Sequence, residues 1–170
     1  MRPRPNVSTA RLLLRPFVDD DALALFGILT AKDVLKYFPP SGPVSLARAE
    51  EMIERATKHW ETNGYGLWAI ELLETGQLLG RSGLQYLPET DEVEVDFILD
   101  PSYWGLGLAS EAGSASLRFA FDRLGLTDVI GLVHPENVAS QRVLLKIGMI
   151  YDVRAEYFGM AVDRYVTGAV

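Results

Sequence analysis

"EVDFILDPSYWGLGLASEA", Glu94 to Ala112, passes from a strand through a turn into a helix. Val93, Val95, Phe97 and Leu99 alternate with Glu92, Glu94, Asp96 and Ile98. That period of two gives a strand with one apolar face and one face that is acidic near its start. Pro101 has no amide to donate and ends the pairing. Gly105 and Gly107 then lead into Ala109-Ser110-Glu111-Ala112, where a helix opens. A helix start leaves amides unpaired and carries about half a positive charge. Bare glycine backbone lets a bulky anion approach them, so the turn suits either a tight bend or a diphosphate. No Lys-Ser/Thr follows, which excludes a P-loop, and Ser110 stands where a dinucleotide fingerprint needs its third glycine.

Outward from this stretch the elements alternate. Arg11–Phe17 reads as a first strand, and Asp19–Asp21 offers N-cap carboxylates for a short helix through about Leu29. Ser45 opens a second helix, with Leu46, Ala49, Met52, Ile53, Ala56 and Trp60 at helical spacing, and Gly64 ends it. Gly66–Leu73, Leu78–Leu87 and Glu92–Leu99 read as strands joined by turns at Glu74–Gln77 and Pro88–Asp91. A helix from about Leu106 to Leu124, a strand Val129–His134, a helix Asn137–Lys146 and closing strands Met149–Ala155 and Ala161–Thr167 complete the order βααβββαβαββ. An antiparallel meander followed by βαβ means a mixed sheet with helices on both faces.

The 170 residues favour one domain, residues 1–170, and no linker or repeat divides them. The net charge of −7, with no basic stripe, argues against nucleic acid as a ligand. No apolar run reaches the ~18 residues of a membrane span. MRPRPNVSTA lacks the apolar core of a secretory signal, so the cytoplasm is the expected compartment. There is no cysteine, which excludes a thiol nucleophile, and neither the two histidines nor the scattered carboxylates have metal-ligand spacing.

"TARLLLRPF" (Thr9 to Phe17), "EVDFILDPSYWGLGLASEA" and "HPENVASQRVLLKIGM" (His134 to Met149) together resemble the GCN5-related N-acetyltransferases (GNAT). Within that superfamily they are similar to the branch that acetylates ribosomal-protein N-termini (RimJ/RimL-like). The resemblance implies an α/β (α+β) GNAT fold: a mixed, mostly antiparallel seven-stranded sheet with helices on both faces and a V-shaped splay between strands 4 and 5. It implies acetyl-CoA as co-substrate and direct acetyl transfer to a primary amine in a ternary complex. A protein N-terminal α-amine is the first expectation for the acceptor. A small amine (polyamine, amino sugar, amino-acid derivative) and a non-catalytic acetyl-CoA-binding module are the alternatives, and a homodimer is left open.

The family's Gln/Arg-x-x-Gly-x-Gly/Ala motif falls on Trp104, Gly105, Leu106, Gly107, Leu108 and Ala109, with Trp104 removing the usual side-chain cation. By resemblance the amides of Gly105 to Ser110 hold the diphosphate, and the backbone of Phe97, Ile98 and Leu99 pairs with the pantetheine arm. The resemblance gives Asn137 a bond to that arm and Ser140 the leaving thiolate, while N-x-x-S also reads as a helix cap. Glu94 is the expected general base, with Glu92 and Asp96 able to share the role; the branch has glycine where Asp96 stands. Leu132 and Leu144 occupy positions where relatives carry a glutamate base and a tyrosine acid. His134 is a strand-end residue at the mouth of the gap, and His59 is expected to be solvated. Tyr37, Phe38, Trp60, Tyr65, Trp68, Tyr86 and Tyr157 are candidate walls of an acceptor pocket formed by the second helix and the Phe38–Ser45 loop. Glu156 is a candidate amine ligand.

Overall fold

The computed structural model describes residues 2–167. The strands are β1 (Val7–Ser8), β2 (Leu12–Arg15), β3 (Leu67–Leu72), β4 (Leu78–Leu87), β5 (Glu92–Leu99), β6 (Ile130–Val133), β7 (Met149–Tyr157) and β8 (Met160–Thr167). The helices are α1 (Ala22–Thr30), α2 (Leu46–Asn63), α3 (Leu108–Arg118) and α4 (Val138–Lys146). The eight strands form one sheet in the order β1-β2-β3-β4-β5-β6-β8-β7, one strand more than the sequence predicts. The extra strand is the two-residue β1, too short to carry a hydrophobic period.

β2 through β5 form an antiparallel meander. β5 and β6 are parallel and pair only at Glu94 opposite Ile130. Beyond Glu94 the strands part, which is the expected splay.

Two cores sit on the two faces of the sheet. Leu12, Leu14, Trp68, Ile70, Val95 and Leu99 pack with α3 and with Leu144 of α4. Phe17, Ala69, Leu78 and Ile98 pack with α1 and α2. Trp60, Trp68 and Phe119 pack in tilted and edge-to-face contacts at 5.0–6.0 Å between ring centroids, and the Trp60 and Trp68 indoles donate to the carbonyls of Leu67 and Pro5. The large rings thus bury their area with the polar edge satisfied. Ser45 Oγ caps α2 by accepting from the Arg48 amide, and Gly64 ends it at φ 78°.

Some local expectations are corrected. The Asp21 carboxylate does not cap α1; it pairs with Arg15 at 2.8 Å and accepts from the Val18 amide. α3 starts at Leu108 because left-handed Gly107 stands outside it, and the turn that follows its end, Phe119–Arg123, is π-helical.

His59 is half-buried rather than solvated. Its Nδ1 lies 2.8 Å from the Tyr65 carbonyl and its Nε2 accepts from the Tyr86 amide at 3.0 Å. Both bonds need a neutral ring with the proton on Nδ1. Burial pushes the His59 pKa below the usual histidine range, against a smaller opposite pull from the Tyr65 carbonyl. A depressed histidine contributes stability that is complete above the unfolded value near ~6.5 and is lost as pH falls through the folded value. Melting curves at pH 7.5 and pH 5 will therefore show a falling midpoint. In His59→Gln the pH 7.5 midpoint is expected to drop by about 2–4 °C, one hydrogen bond's worth, and this part of the pH slope to vanish.

Candidate active site

The opening at the β5–β6 splay follows from strand alternation. The Asp100 amide donates to the Leu79 carbonyl at 2.7 Å, toward β4. A Cβ on Gly80 would lie 2.0 Å from the Ile98 carbonyl oxygen, so Ile98 also turns its carbonyl toward β4. Successive residues of a strand alternate direction, so the main-chain groups of Phe97 and Leu99 face the gap instead. The Leu99 carbonyl is taken by the half-exposed Trp104, whose indole N–H donates to it at 2.9 Å. That leaves the Phe97 amide and carbonyl and the Leu99 amide along the gap. Ile98 lines the groove, but with no backbone group to offer there.

The glycine turn continues from this strand end. Gly105 and Gly107 have φ of 77° and 80°, a region L side chains rarely adopt. The amides of Gly105, Leu106, Gly107, Leu108, Ala109 and Ser110 find no acceptor among the described residues; the first α3 amide to be bonded is that of Glu111, to the Gly107 carbonyl. Apart from Leu106, these residues border a groove of about 690 Å³ between the N-terminal turns of α3 and α4, within the range of ordinary cofactor sites. Phe97, Ile98, Leu99, Trp104, Gly105, Gly107, Leu108, Ala109, Ser110, Asn137 and Ser140, among the expected cofactor-binding residues, all line it. Leu106 does not; its side chain is exposed and its carbonyl is bonded by Arg11. Lys36, Arg142 and Lys146 also line the groove. Lys146 Nζ lies 3.6 Å from where a Gly107 Cβ would be, which places a cation of α4 beside the glycine turn. Sequence reading missed these cations because their separate positions form no basic run.

A second cavity of about 270 Å³ adjoins the groove, and Tyr37, Phe38, Phe97, Asn137 and Ser140 line both. Its wall carries Glu94, Asp96, Arg81 and Gln85 from β4 and β5, Leu132 and His134 at β6, Leu144, and Tyr157, Phe158 and Met160 of the β7–β8 hairpin. Arg81 Nη2 donates to Asp96 at 2.8 Å. Burial and the neighbouring Asp96 charge push the Glu94 carboxyl well above the usual carboxylate range, and Arg81 opposes this only in part. A base of raised pKa is suited to proton transfer near neutral pH. Glu92 is turned away from the cavity: it accepts from the Tyr157 hydroxyl and from Arg164, and these bonds outweigh burial to keep its pKa low.

Asn137 Oδ1 accepts from the Ser140 amide at 3.2 Å, so Asn137 caps α4 and lines the groove at once. The Ser140 hydroxyl has no partner among the described residues. His134 Nδ1 accepts from the Glu136 amide at 3.1 Å, which places the proton of the neutral ring on Nε2. Its ring stacks on Tyr37 with centroids 5.0 Å apart.

Several expected walls lie elsewhere. Trp60 and Trp68 are core residues, Tyr65 packs against that core, and Tyr86 donates to Asp91 outside the cavity. No α2 residue lines either cavity, and Glu156 is exposed beside Tyr157 without reaching it. Among the described residues no helix is long and apolar enough to cross a membrane, and no cluster of His, Cys, Asp or Glu could hold a metal ion.

Comparison with known proteins agrees with this arrangement. The family model described as an acetyltransferase (GNAT) domain matches residues 11–150. The uncharacterized N-acetyltransferase YoaA of Bacillus subtilis is 32% identical over 145 residues, covering 85% of this chain and 82% of the relative. A solved acetyltransferase from Agrobacterium tumefaciens superposes with a TM-score of 0.83 at 28% identity, over 97% of this chain and 95% of that one. RimL, a ribosomal L7/L12 α-N-protein acetyltransferase solved with coenzyme A, has a TM-score of 0.79 at 19% identity, covering 95% and 97%, a likeness of fold alone. The chain belongs to the GNAT family and is an acetyl-CoA-dependent N-acetyltransferase.

Proposed function

We propose that the acceptor is a single α-amine beside a carbonyl, the N-terminus of a peptide or protein. The observation that carries this is the charge pattern of the 270 Å³ cavity: one carboxylate without a cation of its own, Glu94, next to an ion pair whose guanidinium also faces the cavity. Arg81 lines the cavity, and its bond to Asp96 uses only Nη2 of its donors. A peptide carbonyl is a suitable acceptor where the guanidinium faces the cavity. A polyamine would bring further cations toward Arg81, and like charges about 6 Å apart cost roughly 3 kcal/mol at an effective dielectric constant near 20. The space accommodates about one or two residues, and the exposed Phe158 at the hairpin leaves the rest of a peptide in solvent.

The residues divide the chemistry between the two cavities. Acetyl-CoA supplies the thioester whose acetyl group is transferred. The unpaired amides from Gly105 to Ser110, with Lys146, hold its diphosphate, and the Phe97 and Leu99 backbone and Asn137 hold the arm. Glu94 takes the proton of the attacking amine, directly or through one water. A gap-facing amide of β5 donates to the carbonyl oxygen as charge develops on it, the kind of donor worth about 3–4 kcal/mol of barrier. Ser140 Oγ, unpartnered and shared by both cavities, donates to the departing sulfur. A chain without cysteine has no thiol to carry the acetyl group, which suits direct transfer.

An acceptor panel read by release of free CoA thiol tests the assignment. Tetrapeptides starting with Ala, Ser or Met should exceed spermidine and an amino sugar in kcat/KM by about 10- to 100-fold, the ratio the charge estimate implies. Faster turnover of spermidine or the amino sugar overturns it in favour of a small amine. Thioester hydrolysis that no amine stimulates points to a binding module.

A further inference from the structure

The opening motif Thr9-Ala10-Arg11 takes no part in the chemistry above, yet it meets the glycine turn across about a hundred residues of chain. The Glu111 carboxylate, in the first turn of α3, is saturated by this motif. Its Oε1 accepts from Thr9 Oγ1 at 2.6 Å and the Arg11 amide at 2.7 Å, and its Oε2 from Arg11 Nε at 2.7 Å. Burial alone would raise the Glu111 pKa, but these bonds prevail and hold it below the usual range. A carboxylate at a helix start would otherwise repel an anion there. The rest of the Arg11 fork reaches the loop itself: Nη1 donates to the Leu106 carbonyl at 2.9 Å.

We propose that Arg11 is a positioning residue for the diphosphate of acetyl-CoA, acting from behind the loop by fixing the orientation of the Leu106–Gly107 peptide. A trans peptide is planar, with its C=O and N–H pointing in opposite directions. Holding the Leu106 oxygen toward Arg11 therefore aims the Gly107 amide the other way. Gly107, at positive φ, opposes rotation of this peptide only weakly, and once rotated it presents a carbonyl where the anion needs a donor. Arg11 does not line the groove, whereas Lys146 does, so the positioning and the direct cation belong to different residues. A lysine in place of Arg11 keeps the charge but cannot bond Glu111 and Leu106 in the same fork geometry.

The inference rests on the glycine loop being the diphosphate site, and calorimetry separates the two. Wild type, Arg11→Gln, Arg11→Lys and Glu111→Gln are titrated with CoA and with pantetheine, the same arm without the diphosphate and the phosphoadenosine beyond it. CoA affinity is expected to fall about 10-fold in both Arg11 variants and about 3-fold in Glu111→Gln, with pantetheine affinity unchanged within 2-fold. CoA affinity unchanged in the Arg11 variants, or CoA and pantetheine weakened alike, overturns the positioning role. Failure of wild type to prefer CoA over pantetheine overturns the loop assignment itself. Glu111→Gln retains the Thr9 and Arg11 amide bonds and keeps the test open should the Arg11 variants not fold.

Discussion

Glu94→Gln is expected to lower kcat about 100- to 1000-fold while changing the CoA dissociation constant less than 3-fold. Removing a positioned general base typically costs this much, and Glu94 lines the acceptor cavity but not the cofactor groove. The pH dependence adds a second signature. The carboxyl must be ionised to act, and burial together with Asp96 raises its pKa well above the usual range. The acidic limb of kcat/KM should therefore sit above the pH where an ordinary glutamate titrates. The charged or titratable groups sharing the cavity are Asp96, Arg81, His134, Tyr37 and Tyr157. Asp96→Asn removes the negative neighbour and frees Arg81, and both changes favour ionised Glu94, so the limb should move to lower pH. A limb that stays in place, or a Glu94→Gln enzyme of normal kcat, removes Glu94 from the base role.

The second large effect concerns the glycine turn. Gly107→Val is expected to weaken CoA binding about 30- to 150-fold. A β-branched residue at φ 80° costs roughly 2–3 kcal/mol, and the loop escapes that cost only by turning its amides. Its side chain would also meet Arg11 Nη2 and Lys146 Nζ, each 3.6 Å from the Cβ position. Gly105→Ala makes the contrast, because a Cβ there meets nothing within 4 Å. Only the left-handed conformation is penalised, and a loss of about 5-fold is expected. Equal losses at the two positions would mean that the loop's amides do not hold the anion.

The glycine turn, the Asn137 cap and the acid-bearing strand β5 are legible in the sequence because each is local: a few neighbouring residues decide the backbone, and the backbone carries the feature. The splay follows from family resemblance and is seen as a single β5–β6 pair. What joins distant segments is not legible. Arg11 meets Leu106 and Glu111, Arg81 meets Asp96 from the adjoining strand, and Lys146 reaches Gly107 from α4. The wall of the second cavity is not legible for the same reason. Trp60 and Trp68 lie on strongly periodic elements and went into the core, whereas Phe158 and Met160 sit at a hairpin that no periodicity singles out. His59 reads as an exposed helix position until Tyr65 and Tyr86 are seen to bond both its nitrogens.

The proposed CoA site is built from unpaired amides at the start of α3 and along the open side of β5. Backbone amide resonances followed by NMR during titration with CoA test this most directly. Saturable binding is predicted, with the largest shifts at Gly105 to Ser110 and at Phe97 and Leu99. Saturable binding that leaves these amides at their free positions, or no binding at millimolar CoA, would contradict it.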